Sequence, residues 1–242
     1  MFVFAQLSDI HLDGGDRAFE RAARVMERVN AAPLDAVLVT GDIADHGAAA
    51  EYAQAREVLR SPHPMLICPG NHDVRGAYRE VLLDEPPDGG PINRMHKVAG
   101  VMFAMCDSTV PGKDHGFLDE KTIAWLDRRL AAEPDAPAFV CFHHPPVALN
   151  IPYMDGIRQF GAERLAEVVE RHPQVVAVLC GHAHTAAVTT FAGRPLLIAP
   201  GVVSTLRLPG EEGDVADYDA PAGLAFHVLD DEGRLTTHYR TV

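Results

Sequence analysis

This 242-residue sequence predicts an α/β layered fold, a parallel portion completed by antiparallel strands, and three observations predict it. Short apolar runs alternate with amphipathic stretches as far as Cys180. Almost every one of those runs ends in residues that ligate metals or move protons. After Gly181 the pattern changes to short β-rich pieces.

The expected strands of the first part are Phe2 to Leu7, Ala36 to Thr40, Met65 to Cys68, Val101 to Cys106, Ala138 to Phe142 and Val175 to Cys180. Each is short and, apart from Gln6 and Thr40, apolar, as expected of a buried strand. Between them Arg17 to Ala31, Ala48 to Arg60, Gly76 to Leu83, Asp119 to Ala132 and Gly161 to His172 read as helices. In the first, Phe19, Ala22, Ala23, Met26 and Val29 recur at the spacing that lines one helix face. The later strands are Ala187 to Phe191, Pro195 to Ile198, Leu224 to Leu229, and Leu235 to Tyr239 behind the turn Asp230-Asp-Glu-Gly233. With no repeat, low-complexity tract or Gly/Ser linker, one domain over 1–242 is expected, its portion from about 186 to 242 completing the layers.

Composition removes several function classes. A chain that is 47% hydrophobic and 23% charged is of ordinary globular type, and at this length a core needs no disulfide. The net charge of −13, with lysine only at 97, 113 and 121, excludes a basic footprint for a nucleic-acid polymer or an anionic membrane. Small anions stay open as ligands where a metal supplies the positive charge. No apolar run approaches the roughly 18 residues of a membrane helix. Met1 to Asp9 has no basic leader and is broken by Gln6, so it reads as a strand and a cytoplasmic protein is expected. Cys68, Cys106, Cys141 and Cys180 form no CxxC pair and read as buried free thiols.

The chemistry follows the strands. In order come Asp9-Ile-His11, Gly41-Asp42, Gly70-Asn71-His72-Asp73, His143-His144-Pro145-Pro146 and Gly181-His182-Ala-His184. Asp9 and His11 are two apart, so on extended chain they share a face and can grip one ion, and His182 and His184 repeat the spacing. The glycines let the backbone leave its strand by a tight turn. Taken alone, an Asp-x-His is a strand-end turn and a His-Pro pair a loop. Five such motifs at successive strand ends form a set. Carboxylate, imidazole and amide oxygen without thiolate suit Mn, Fe, Co or Zn and disfavour a structural zinc site.

In that order the five motifs resemble the signature of the calcineurin-like metallophosphoesterase superfamily, over Phe2 to about Ile198. The resemblance implies a four-layer α/β/β/α sandwich of two mixed β-sheets flanked by helices. It also implies two divalent or trivalent metal ions. Asp9, His11, Asp42 and His184 would hold one; Asn71, His143, His182 and a shared Asp42 the other. The mechanism so implied would use two ions about 3.5 to 4 Å apart to lower the pKa of a shared water, whose hydroxide would attack phosphorus in line.

His72, next to Asn71, becomes the candidate to donate a proton to the leaving group or to steady a non-bridging oxygen, the alternative being a structural histidine behind the ligands. Asp45 either orients His72 or is a solvated helix-start aspartate. His144 either faces substrate or packs in its loop, and His115, in a loop resembling the substrate side of the bacterial phosphodiesterase branch, is either a substrate-binding residue or an exposed loop histidine. Loop or strand-surface roles suffice for His46, His63, His96, His172, His227 and His238.

Within the superfamily, Val39 to Gly47, Asp107 to Gly112 and Gly193 to Pro200 look most like class III cyclic-nucleotide and glycerophosphodiester phosphodiesterases. His46-Gly47 stands where protein phosphatases of the superfamily carry an Arg-Gly. The activity implied is hydrolysis of a small phosphodiester, first a 3′,5′-cyclic nucleotide. A glycerophosphodiester, a nucleotide pyrophosphate, and a metal-binding module without catalysis are the alternatives. A homo-oligomer stays open.

Overall fold

In the computed structural model, which describes residues 1–242, fifteen strands and six α-helices follow one another. The first half contains β1 (Phe2–Leu7), α1 (Asp16–Asn30), β2 (Ala36–Thr40), α2 (Ala49–Val58), β3 (Met65–Cys68), α3 (Arg75–Ala77), β4 (Arg94–Val98), β5 (Val101–Met105), β6 (Gly116–Phe117) and α4 (Glu120–Ala131). The second contains β7 (Ala138–Cys141), α5 (Pro152–Gly156), β8 (Gln159–Phe160), α6 (Glu163–Arg171), β9 (Val175–Cys180), β10 (Ala187–Phe191), β11 (Arg194–Ile198), β12 (Thr205–Leu206), β13 (Ala216–Asp217), β14 (Gly223–Leu229) and β15 (Leu235–Thr241).

Two mixed sheets carry the fold, in the orders β15-β14-β1-β2-β3 and β10-β11-β9-β7-β5-β4. β1, β2 and β3 run parallel, as do β5, β7, β9 and β11; the antiparallel strands lie outside them. Period-two alternation sorts the side chains into three cores. Ala5, Leu7, Val37 and Val39 pack with Ala22, Val25 and Met26 of α1. Phe4, Leu38, Phe103, Phe139 and Leu179 fill the space between the sheets. Val140, Val178 and Cys180 pack with Leu126 and Leu130 of α4 and Val168 of α6. Helix, sheet, sheet, helix is the layer order that the resemblance implied. All four cysteines are buried and free, as read from their spacing.

Two departures have physical causes. β4, Arg-Met-His-Lys-Val, escaped the sequence reading because it is a polar edge strand, blunted by Arg94 and Lys97, with no apolar run to betray it. The helix expected over Gly76 to Leu83 is divided into α3 and one π turn at Tyr78–Leu82, which is where Tyr78 becomes fully buried against Tyr52.

His227 is also not the surface residue its strand position suggested. It is fully buried on β14, stacked on Phe4 at 4.7 Å. Its Nε2 lies 3.1 Å from Gln6 Oε1 and its Nδ1 2.8 Å from Thr237 Oγ1. Gln6 occupies the next inward position after Phe4, at the site end of β1, and its amide donates to Thr40 Oγ1 and to the Cys180 carbonyl, tying the two sheets together. Burial pushes the His227 imidazole down to about 3 from its ordinary 6.5. Between those values the unfolded chain holds a proton that the folded chain does not, so acidification through this window favours unfolding. Unfolding midpoints measured from pH 7 to pH 4 are expected to fall less steeply in His227→Gln than in the wild type. Parallel slopes would show that His227 is not the titrating group.

Candidate functional site

The parallel strands of both sheets end at one edge, and the five motifs meet there, as ligands do outside the carboxyl ends of such strands. The backbone is strained at this edge and not at random. Nine non-glycine residues have positive φ, and five of them are Asp9, His11, Asp42, His182 and His184. Left-handed φ is costly for residues with a Cβ, and its concentration on one cluster marks a functional constraint. Of the neighbouring glycines only Gly41 takes positive φ, +94°. Gly70 is required for a different reason: a Cβ there would stand 2.2 Å from Asp42 Oδ1. The tight turn read from the sequence is in that case close approach.

Two groups of facing ring nitrogens define the geometry. His11 Nε2 lies 3.2 Å from His184 Nε2, and His143 Nε2 lies 3.2 Å from His182 Nδ1. The opposite nitrogens are engaged. His143 Nδ1 donates to the Thr40 carbonyl (2.7 Å), His182 Nε2 to the Ile157 carbonyl (3.1 Å) and His11 Nδ1 to Asp45 Oδ1 (2.8 Å), while His184 Nδ1 meets Ser204 Oγ at 2.9 Å. The carbonyl and carboxylate partners fix the tautomers of His143, His182 and His11, so that in the neutral rings the inner nitrogens of these three carry lone pairs, an arrangement that suits a cation. Asp42 stands between the groups, its Oδ2 3.2 Å from His143 Nε2 and 3.5 Å from His11 Nε2. Asp9 Oδ1 is 3.5 Å from His184 Nε2 and 3.9 Å from His143 Nε2. Asn71 Oδ1 is buried without any partner, an acceptor that a cation would satisfy.

The electrostatics divide the imidazoles: the neighbouring carboxylates raise His11 and His143 against the effect of burial, whereas burial lowers His182 and His184. Burial pushes the Asp42 carboxyl up, but His143 beside it more than compensates and holds it well below the usual carboxylate range. Burial opposes the same pairing at His143, whose imidazole nonetheless rises to about 9. His182 and His184 are pushed down, chiefly by burial, and so favour the neutral form that ligates metals. Asp9, His11 and His184 form one potential metal-holding cluster, and Asp9, Asp42 and His143 another.

The remaining predicted residues are placed as follows. His72 sits at the site rim with its side chain 40% exposed, and its Nδ1 donates to the Asp45 carbonyl at 2.7 Å. Asp45 thus positions His72 through its main chain, because its carboxylate is committed to His11. His144 is fully buried with both ring nitrogens held, Nδ1 by Ser108 Oγ (2.8 Å) and Nε2 by the Asp114 carbonyl (3.1 Å). His115 packs edge-on against Phe160; Asp114 of the same loop, not His115, lines the site cavity.

Sequence reasoning quoted Asp73 without giving it a task. It is buried and accepts the amides of Gly70, Ile43 and Ala44 and the Tyr52 hydroxyl, locking the second and third motifs together. Its place in Gly70-Asn71-His72-Asp73 was the available signal.

Two cavities meet at His72. One, about 830 Å³, is lined by His11, Asp42, Asn71, His182 and His184 and by an apolar wall including Tyr153, Leu206, Val215 and Tyr218. The other, about 540 Å³, is polar, with His46, Arg75 and Thr109, and shares Asp45, Asn71, His72 and Asp114 with the first.

A layered α/β sandwich with facing imidazoles, two buried carboxylates and an orphaned amide oxygen at one sheet edge is the architecture of a metal-dependent phosphoester hydrolase. The chain belongs to the calcineurin-like phosphoesterase family, whose profile matches residues 2–186. Members use two metal ions, and the residues present fit such a centre. A cAMP/cGMP dual specificity phosphodiesterase of Mycobacterium tuberculosis is 31% identical over 95% of this chain and 77% of its own length. A glycerophosphodiester phosphodiesterase of Enterobacter lignolyticus is 36% identical over 70% of this chain, which spans 63% of that relative. Among solved structures, a dimetal phosphatase from Danio rerio superposes with a TM-score of 0.73 at 13% identity, over 99% of this chain and 96% of that one, and so shares the fold. No helix is long and apolar enough to cross a membrane.

Proposed function

We propose that this metal-dependent phosphodiesterase hydrolyses a small phosphodiester, first a 3′,5′-cyclic nucleotide. The observation that carries the reading is Asp42 Oδ2 standing between two pairs of facing imidazole nitrogens. Asp9, His11, Asp42 and His184 would hold one ion; Asn71, His143, His182 and the shared Asp42 would hold the other. Bound there, Mn, Fe, Co or Zn ions supply Lewis acidity, activating water and neutralising charge on the phosphoryl oxygens. The chain's own residues do the rest. Thr40, Ile157, Ser204 and Asp45 aim the imidazoles, and the Asp45 carbonyl accepts from His72 Nδ1, so that His72 in its imidazolium form presents its second proton, on Nε2, to the departing oxygen and is left as the neutral ring.

Charge supports a diester over a monoester. Arg75 is spent on Asp107 at 2.8 Å and on the carbonyls of Gly89 and Thr109, and Arg17 donates to the Tyr218 carbonyl. No guanidinium is therefore committed to a dianion, and the net charge of −13 works against one. With the metal-reconstituted protein, kcat/KM for 3′,5′-cyclic AMP, a glycerophosphodiester and a bis-nitrophenyl diester is expected to exceed that for the matching monoesters. A monoester better than every diester would replace this reading with a phosphatase.

A glycerophosphodiester is the second reading, favoured by the Enterobacter relative. Residues 1–242 act as one domain in this proposal, since β14 and β15 complete the sheet that begins with β1. Four buried free thiols suit a reducing compartment, the cytoplasm.

A further inference from the structure

The apolar wall of the larger cavity has no task in the hydrolysis described above. It comes from two segments, each tied to the metal-binding groups. The first is the β12–β13 hairpin with its flanks. Val202 and Val203 donate their amides to the carbonyls of Ser8 and Asp9, and Ser204 holds His184. Buried Arg21 of α1 clamps this segment through Nε to the Val202 carbonyl (2.8 Å) and Nη2 to the Ala220 carbonyl (2.7 Å). The second segment is α5 and the turn after it, whose Ile157 carbonyl holds His182.

Each segment brings one tyrosine to the same cavity, Tyr218 from the hairpin side and Tyr153 from α5. Their exposures, 55% and 64%, decide the matter. Large aromatic rings left in water beside Leu206 and Val215, at the mouth of a reaction site, are surface with a use. Tyr218 is also braced by the Arg17 guanidinium, 5.6 Å from its ring centroid, so its ring is held in place before any ligand arrives.

We infer that Tyr153 and Tyr218 form a stacking wall for a flat aromatic substituent of the diester, a nucleobase, and thereby select nucleotide over glycerol substrates. The inference rests on the phosphodiester reading above. A glycerol or amino-alcohol substituent has no π-face to stack and gains little from these rings. A nucleobase is uncharged, so the acidic surface does not oppose it, and stacking accepts any base.

The test compares kcat/KM for 3′,5′-cyclic AMP with that for glycerophosphoethanolamine in the metal-loaded wild type, Tyr153→Ala, Tyr218→Ala and Tyr218→Phe. The cyclic AMP to glycerodiester ratio is expected to fall about 10-fold or more in each alanine variant, mainly through KM, and to be restored in Tyr218→Phe, which keeps the ring. Both tyrosines are exposed, so a thermal melt is expected to show all variants folded. A ratio that stays constant, or one that falls equally in Tyr218→Phe, overturns the stacking wall. A wild type that hydrolyses neither diester instead removes the phosphodiester reading, and the wall with it.

Discussion

Asp42→Ala is expected to strip both metal ions and to lower kcat/KM by well over about 100-fold, more than is typical for loss of an outer partner of a ligand. The expectation follows from position. Asp42 Oδ2 is the atom that approaches His143 and His11 together, at 3.2 and 3.5 Å, and so can serve both groups. Its other oxygen accepts the His72 amide at 2.9 Å and lies where a Gly70 side chain would be, which leaves the carboxylate one orientation. Removing it leaves four imidazoles converging with only Asp9 for negative charge. Elemental analysis after saturating Mn reconstitution is expected to approach two ions per wild-type chain and none in the variant. A variant that keeps one ion would show that Asp42 belongs to a single group. Because Asp42 is buried, circular dichroism and a thermal melt must accompany the measurement, and Asp42→Asn, which keeps the volume, is expected to lose metal as well.

Why so much of this site was legible in the sequence is a matter of strand physics. Buried parallel strands must be continuous apolar runs, so β1, β2, β3 and β9 announce their own ends, and the residue after each end lies at the shared edge. Asp9, Asp42 and His182 could be placed there without any contact being known. What failed to show were elements whose identity is set by tertiary partners. β4 is polar because it is an edge; β12 and β13 are two residues each, too short for a period; α5 is a single turn held by the chain around it. The cavity wall of Tyr153 and Tyr218 is built from such pieces, and so the sequence hid it. Main-chain roles were equally hidden. The sequence leaves Asp45 either orienting His72 or standing as a solvated helix-start aspartate; its carboxylate turns to His11 while its carbonyl holds His72 Nδ1, a distinction that no residue letter carries.

His72→Ala is expected to lower kcat by roughly 100-fold or more while both ions remain bound, the effect of losing a proton donor in the transition state. The geometry separates His72 from the ligand set. His72 Nδ1 is fixed by a neutral carbonyl, its ring meets His11 edge-on with centroids 4.6 Å apart, and it lines both cavities where they join. In the proposed reaction the leaving oxygen of a diester would lie at that junction. An alkoxide leaves poorly without a proton, whereas a nitrophenolate leaves readily, so the variant's deficit is expected to be large with an alkyl diester and small with bis-nitrophenyl phosphate. Equal deficits on the two substrates, with metal content unchanged, would assign His72 to positioning the phosphoryl group. Loss of metal in the variant would make His72 a support for the neighbouring Asn71, whose buried Oδ1 has no hydrogen-bond partner in the protein. Asp45→Ala separates the two effects further: it removes the hydrogen bond to His11 but keeps the carbonyl that holds His72. It is therefore expected to weaken metal binding while leaving the difference between activated and alkyl substrates as in the wild type.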